Sequence, residues 1–159
     1  MKFQMLIILT MMSTLPSDAP KNDAIGDKEK LQGVWKLTSA TIDGKDKTAE
    51  LEKHDYKAII KDDQVALGAA ADVRVSPLVL NPATTPKQLD ILVSLGIYEL
   101  KGDDLKICLG GKKRPTEFAS KPGSDNVLFI FKRTKEKPEL PRSDYVRLHS
   151  ATASSPSLV

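Results

Sequence analysis

At 159 residues, with 40% hydrophobic and 28% charged residues, the chain has the size and composition of one soluble globular domain with tails. Its net charge of +3 is matched by the C-terminal stretch alone, where six basic residues (Lys132, Arg133, Lys135, Lys137, Arg142, Arg147) face three acidic ones (Glu136, Glu139, Asp144). The rest of the chain is close to neutral, which argues against a nucleic-acid partner, since such proteins carry a basic face on their folded part.

The chain opens with Lys2 and the apolar run 3–12, FQMLIILTMM. A basic start and a 7–15-residue apolar core form the pattern of a secretory signal peptide. The run is too short to span a bilayer, which takes about 20 apolar residues. The expectation is a signal peptide over 1–19, ending near Ser17-Asp18-Ala19, and an extracytoplasmic protein, periplasmic or secreted, with no stable membrane anchor after cleavage. Residues 20–27 read as a polar linker, the folded domain as 28–134.

Within the domain, 31–42 (LQGVWKLTSATI) reads as a strand with Leu31, Gly33, Trp35, Leu37 and Ser39 on one face. Asp43-Gly44-Lys45 is a turn. Residues 48–54 predict a short helix, with Thr48 as its cap and Leu51 as its apolar contact. Strands follow at 56–61 (Tyr56, Ala58 and Ile60 together), 64–70 (Val65, Leu67, Ala69) and 72–80, where Pro77 argues for an edge or a bulge. After a loop at 81–86, residues 87–94 put Leu89, Ile91 and Val93 on one face. Residues 95–109 (LGIYELKGDDLKICL) are the clearest hairpin, turning at Lys101-Gly102-Asp103, with Leu105, Ile107 and Leu109 on one face of the second strand. A glycine-containing loop, the segment 114–120 (RPTEFAS) and a dense turn at 121–126 lead to the last strand, 127–133 (VLFIFKR), with Val127, Phe129, Phe131 and Arg133 together. From Lys135 on, prolines and a Ser/Ala/Thr-rich end predict a disordered tail over 135–159.

These elements predict an all-β fold: an antiparallel up-and-down meander of about eight strands, closed as a barrel or folded as a sandwich, with one short helix. The block LQGVWKL, the hairpin LGIYELKGDDLKIC, the segment RPTEFASKPGS and the final VLFIFKR together resemble an uncharacterised lipocalin-like domain family abundant in planctomycete bacteria. The resemblance covers about residues 28–134. It implies a small, usually exported lipocalin-like β-barrel, and it brings no assigned activity with it. The segment between Asn81 and Leu95 is shorter than in that pattern, which implies a trimmed strand pair or loop near the barrel rim.

Gly33-x-Trp35 is also similar to the first-strand signature of lipocalins, in which the Trp closes one barrel end beneath a basic residue of the last strand. The resemblance assigns barrel closure to Gly33, Trp35 and Arg133. The chemistry is consistent: Gly33 lets a segment approach closely, and Arg133 can stack on the indole. Any ligand would then enter from the other end, where loops near 77–86 and 110–115 are expected.

Catalytic patterns are scarce. His54 and His149 lie far from any Cys or carboxylate at metal spacing, and no metal ligand set or cofactor motif is present in the sequence. Cys108, the lone cysteine, lacks an evident histidine base and reads as a half-buried structural thiol. The expectation is a non-enzymatic protein without cofactor. Loop residues Arg114, Thr116 and Glu117 are the candidate ligand-binding groups; the alternative is an Arg114–Glu117 surface ion pair with Phe118 in the core. Two functions follow from the sequence. One is a barrel holding a small apolar ligand among Val65, Leu67, Leu89, Ile91, Ile107 and Phe129. The other is a filled barrel serving as a structural or protein-interaction domain.

Overall fold

The computed structural model describes residues 21–69 and 73–141. The signal peptide expected over 1–19 and the tail beyond 141, including His149, lie outside the described residues. Helix α1 (Lys21–Leu31) is followed by strands β1 (Gly33–Ile42) and β2 (Lys45–Asp46), helix α2 (Thr48–Glu52), and strands β3 (Lys57–Lys61), β4 (Gln64–Gly68), β5 (Arg74–Asn81), β6 (Lys87–Ile91), β7 (Ser94–Lys101), β8 (Asp104–Gly110) and β9 (Val127–Arg133). Every sheet neighbour is antiparallel, in the order β1-β3-β4-β5-β6-β7-β8-β9, and β9 pairs back onto β1. Eight strands therefore close into a barrel, and β2 hangs outside on the end of β1. Closure removes the exposed sheet edges that an open meander would leave.

The turns carry the chemistry their geometry demands. Asp43 and Gly44, both at positive φ (49° and 72°), join β1 to β2. Gly102, at φ 59°, turns β7 into β8. β6 pairs along its length with both β5 and β7, so the shorter segment between Asn81 and Leu95 lacks no strand. Pro77 does not mark an edge: β5 is paired on both sides, and Pro77 sits where pairing with β4 ends and pairing with β6 begins. There its missing N–H takes nothing from the ladder.

Strict alternation fails in two places. On β1, Leu37 faces Phe131 and Ser39 faces Ile130, so Thr38 is an extra residue, a β-bulge whose hydroxyl donates to the Ile130 carbonyl at 3.1 Å. The bulge flips the face, and Ala40, wholly buried, takes the inward position expected of Ser39. Val93 does not continue the face of Leu89 and Ile91: with Leu92 it forms the β6–β7 turn and is 80% exposed. Thr48 is not a helix cap either. Lys47 holds that position without a side-chain bond, and the Thr48 hydroxyl accepts the Ala40 N–H at 3.0 Å.

The inward faces form one core. Trp35, Leu37, Val65, Leu78, Leu89, Tyr98, Leu105, Ile107, Phe129 and Phe131 belong to a single buried cluster, with Tyr56, Leu67, Leu80, Leu109 and Val127 packed at its margins. A second, smaller cluster lies on the outside of the barrel, where Val34, Ile59 and Ala66 are covered in part by Leu140. The segment expected to be disordered from Lys135 thus starts as packed chain. Residues 20–27, expected as a linker, differ as well: from Lys21 they belong to α1, and Asp27 is buried.

Candidate functional site

Two features gather polar chemistry. The first is the barrel end covered by α1. Leu31, at the last turn of the helix, enters the core, and its carbonyl accepts the Trp35 indole N–H at 2.9 Å. Trp35 and Arg133 stand opposite each other in the β1–β9 ladder, and the guanidinium lies 4.0 Å from the centroid of the indole ring. Arg133 also donates Nη1 to the Gln32 carbonyl at 2.6 Å and Nη2 to the Lys30 carbonyl, while Nε lies 3.2 Å from the Asp103 carboxylate. One side chain thus satisfies carbonyls left over at the helix C-terminus and fixes the junction with β1. Gly33 makes room for it: a Cβ there would stand 2.9 Å from Arg133 Nη1, and its φ of +139° is strained for any other residue. Gly33, Trp35 and Arg133 therefore meet at one barrel end.

At the other side of the same end, Asp27 Oδ2 accepts from Tyr98 Oη at 2.7 Å and from Lys87 Nζ at 2.6 Å. Burial pushes the Asp27 carboxyl up, but these two hydrogen bonds and the charges of Lys87 and Lys30 outweigh it and hold the group below the usual carboxylate range. Burial, reinforced by the bond to Asp27, drives the Tyr98 phenol far up. Lys28 reaches Asp63 at 2.5 Å, and the Gln32 side chain accepts the Asp62 N–H at 2.6 Å. Helix α1 is thus tied to the β3–β4 turn, to β6, to β7 and to β9. A hollow of about 450 Å³ remains beside it, where the cations Lys87 and Arg133 are paired with Asp27 and Asp103.

The second feature is a groove of about 620 Å³ outside the barrel. Its walls are the β5–β6 loop, 82–87, the stretch 98–100 of β7, and Thr116 and Phe118. The latter two belong to the long β8–β9 connection, which runs as a strap over the outer face of β6–β8. Arg114 anchors the strap: Nη1 donates to the Gly96 carbonyl at 2.5 Å and the Leu89 carbonyl at 3.3 Å, and the fork meets Asp90, with Nη1 2.7 Å from Oδ1 and Nη2 3.0 Å from Oδ2. Further along, the Ala119 carbonyl accepts the Cys108 thiol at 3.6 Å. Lys106 Nζ lies 5.4 Å from the centre of the Phe118 ring.

The three loop residues singled out in the sequence are therefore not brought together. Arg114 is spent on Asp90 and two carbonyls, Thr116 lines the groove, and Glu117 pairs with Lys121 at 2.6 Å in solvent. No Arg114–Glu117 pair forms, and Phe118 is a groove wall instead of a core residue. The two loops expected at one open end part company. The 81–87 loop sits at the α1 end, as the Asp27–Lys87 contact requires, whereas 110–113 lies at the opposite end beside the β6–β7 turn. Cys108 is wholly buried, and burial pushes its thiol up, away from the thiolate a nucleophile needs. Among the described residues no three His, Cys, Asp or Glu side chains form a group that could hold a metal.

Asp27, Lys87 and Tyr98 were not legible as a site. Tyr98 alternates with Gly96 and Leu100 on the inward face, which is a pattern visible in the hairpin, but its partner lies 71 residues earlier. The features define an eight-stranded antiparallel barrel plugged at one end by an N-terminal helix. No family model, curated protein or solved structure matches the chain.

Proposed function

We propose that the chain is a non-enzymatic, exported recognition domain of lipocalin-like architecture that works through its surface and keeps its barrel as a filled core. The observation that carries this reading is the occupancy of the barrel axis by the protein's own bulk. Trp35, Leu37, Tyr98, Leu105 and Phe131 are all at most 1% exposed and pack in one cluster with Val65, Ile107 and Phe129. An eight-stranded barrel is just wide enough for its side chains to fill it. The outer groove, with Pro82, Pro86 and Phe118 as apolar walls and Thr116, Lys87 and Glu99 as polar groups, is the contact surface in this reading. Its volume falls within the range that small recognition sites occupy, about 300–1,000 Å³.

Trp35 is the chain's single tryptophan and sits inside the barrel, so its fluorescence reports on the interior. Titration with a fatty acid and with a naphthalene sulfonate dye should leave that emission unchanged. Saturable one-to-one quenching would place a ligand inside and overturn the reading. Export is tested by N-terminal sequencing of the mature protein, where a retained Met1 or Lys2 would refute it.

A further inference from the structure

The three large aliphatic side chains that stand well out of the surface among the described residues are Val79, Leu92 and Val93, at 62%, 70% and 80% exposure. They are not scattered. Leu92 N donates to the Pro77 carbonyl at 3.4 Å, which sets the β6–β7 turn against β5, and Val79 lies two residues further along β5, opposite Asp90. Single exposed aliphatics need no account, but a grouped set at a protruding turn does.

The turn itself is unusual. A two-residue hairpin loop with positive φ at its first position takes Gly, Asn or Asp, as the Asp43-Gly44 turn of this same chain does. Here Leu92 holds φ 55° and Val93 follows it. Leu92 does not suit its backbone and neither residue is buried, so the turn runs against both folding preferences at once. Such an outlier is where a functional constraint is to be sought.

The charge beside it is positive. Leu95 pairs with Gly110, so the end of β8 lies next to the turn, and the chain continues from there into Gly111-Lys112-Lys113, all exposed. The segment doubles back tightly, since a Cβ on Gly110 would collide with the Lys113 carbonyl. This holds both lysines at the same corner of the barrel. Of the carboxylates on this side, Asp90 is paired with Arg114, and Asp63, across β5 in the β3–β4 turn, is paired with Lys28. The turn lies at the end of β6 and β7 away from the Asp27–Lys87 contact.

We infer that this corner is a peripheral docking site for an anionic lipid surface. Leu92 and Val93 enter the boundary between head groups and acyl chains, and Lys112 and Lys113 contact the acidic head groups. An apolar tip flanked by lysines is the composition that interfacial binding selects, with the aliphatic groups supplying depth and the cations supplying attraction to acidic lipid. Binding of this kind is weak and reversible, and it needs no spanning segment. It is independent of the outer groove, which lies toward the α1 end.

The test uses the full chain with an environment-sensitive NBD fluorophore on Val93→Cys, and a control on the exposed Lys101→Cys, at the other end of the strand β7 that leaves this turn. Cys108 is wholly buried and does not compete for the label. Vesicles of phosphatidylglycerol should raise and blue-shift the emission at position 93 and leave position 101 unchanged, and phosphatidylcholine vesicles should do neither. Lys112→Gln with Lys113→Gln should raise the lipid concentration at half-saturation by about fivefold for each lysine removed. In the unlabelled protein, Leu92→Asn with Val93→Ser, which suits the turn better, should keep the melting temperature yet abolish vesicle co-sedimentation that exceeds that of the phosphatidylcholine control. Three results would overturn the inference: no change at position 93, an equal change at position 101, or a change at 93 that grows with protein concentration without vesicles, which would mark the corner as a contact between two copies.

Discussion

Removing the Arg133 side chain is the sharpest perturbation of the plugged barrel end. The guanidinium stacks on Trp35 at 4.0 Å and bonds the carbonyls of Gln32 and Lys30, the residues joining α1 to β1. Hydrogen bonds to a charged donor contribute about 1.5–3 kcal/mol each when buried, and a cation–π contact about 1 kcal/mol. The side chain is 26% exposed and the freed carbonyls regain water, so Arg133→Ala should cost about 2–3 kcal/mol in total. Trp35→Ala empties a wholly buried aromatic site and should cost about 3–5 kcal/mol. Between them the two stacked side chains hold three consecutive residues: Trp35 bonds the Leu31 carbonyl, between the two that Arg133 holds. Their effects should therefore fall short of additivity by about 1–2 kcal/mol, as expected for residues that share an interaction. Arg133→Lys should restore little, because a lysine lacks the planar fork. Urea denaturation followed by circular dichroism measures the two single alanine variants, their double mutant and Arg133→Lys against the wild type. Strict additivity, or an Arg133→Ala cost below about 0.5 kcal/mol, the size of an ordinary surface change, would refute the reasoning.

Asp27→Asn should destabilise by about 2 kcal/mol at neutral pH, by weakening the bonds from Tyr98 and Lys87 to a carboxylate. Because the Asp27 carboxyl is held below its unfolded value of about 3.9, the wild type's advantage should persist above that pH. It should shrink as pH falls through the lower folded value, and a difference constant from neutral pH to about pH 2 would contradict the assignment. Deleting the chain after Thr134 should lower stability by about 1 kcal/mol, since the partly buried Leu140 packs against Val34, Ile59 and Ala66; an unchanged melting temperature would show that this contact contributes nothing. Gly33→Ala should cost more than about 1 kcal/mol, from positive φ and from the clash with Arg133 Nη1, and a neutral result in a thermal melt would contradict both.

The barrel strands were legible because an inward face writes itself as alternation: Leu105, Ile107 and Leu109 on β8, or Phe129 and Phe131 on β9. Closure by β1 and β9 followed from placing Trp35 and Arg133 on those inward faces. Helix α1 was hidden because its sequence, KNDAIGDKEKL, carries no amphipathic stripe, and it is held by single long-range contacts at Asp27 and Leu31. The Thr38 bulge left no mark either, since one inserted residue changes the face without changing composition. Arg114 was visible as a loop cation, but nothing local pointed to Asp90, 24 residues away across two strands. Leu140 was masked by the prolines around it. The outer groove is built from the β5–β6 loop and the strap, which only the fold brings together.

The central claim is that the barrel interior is filled. Xenon under pressure enters apolar cavities and leaves filled cores alone. A crystal of the protein exposed to xenon should show no site among Leu37, Val65, Leu89, Ile107 and Phe129. A well-occupied xenon atom on the barrel axis between those side chains would contradict the claim and return the interior to the role of a ligand site.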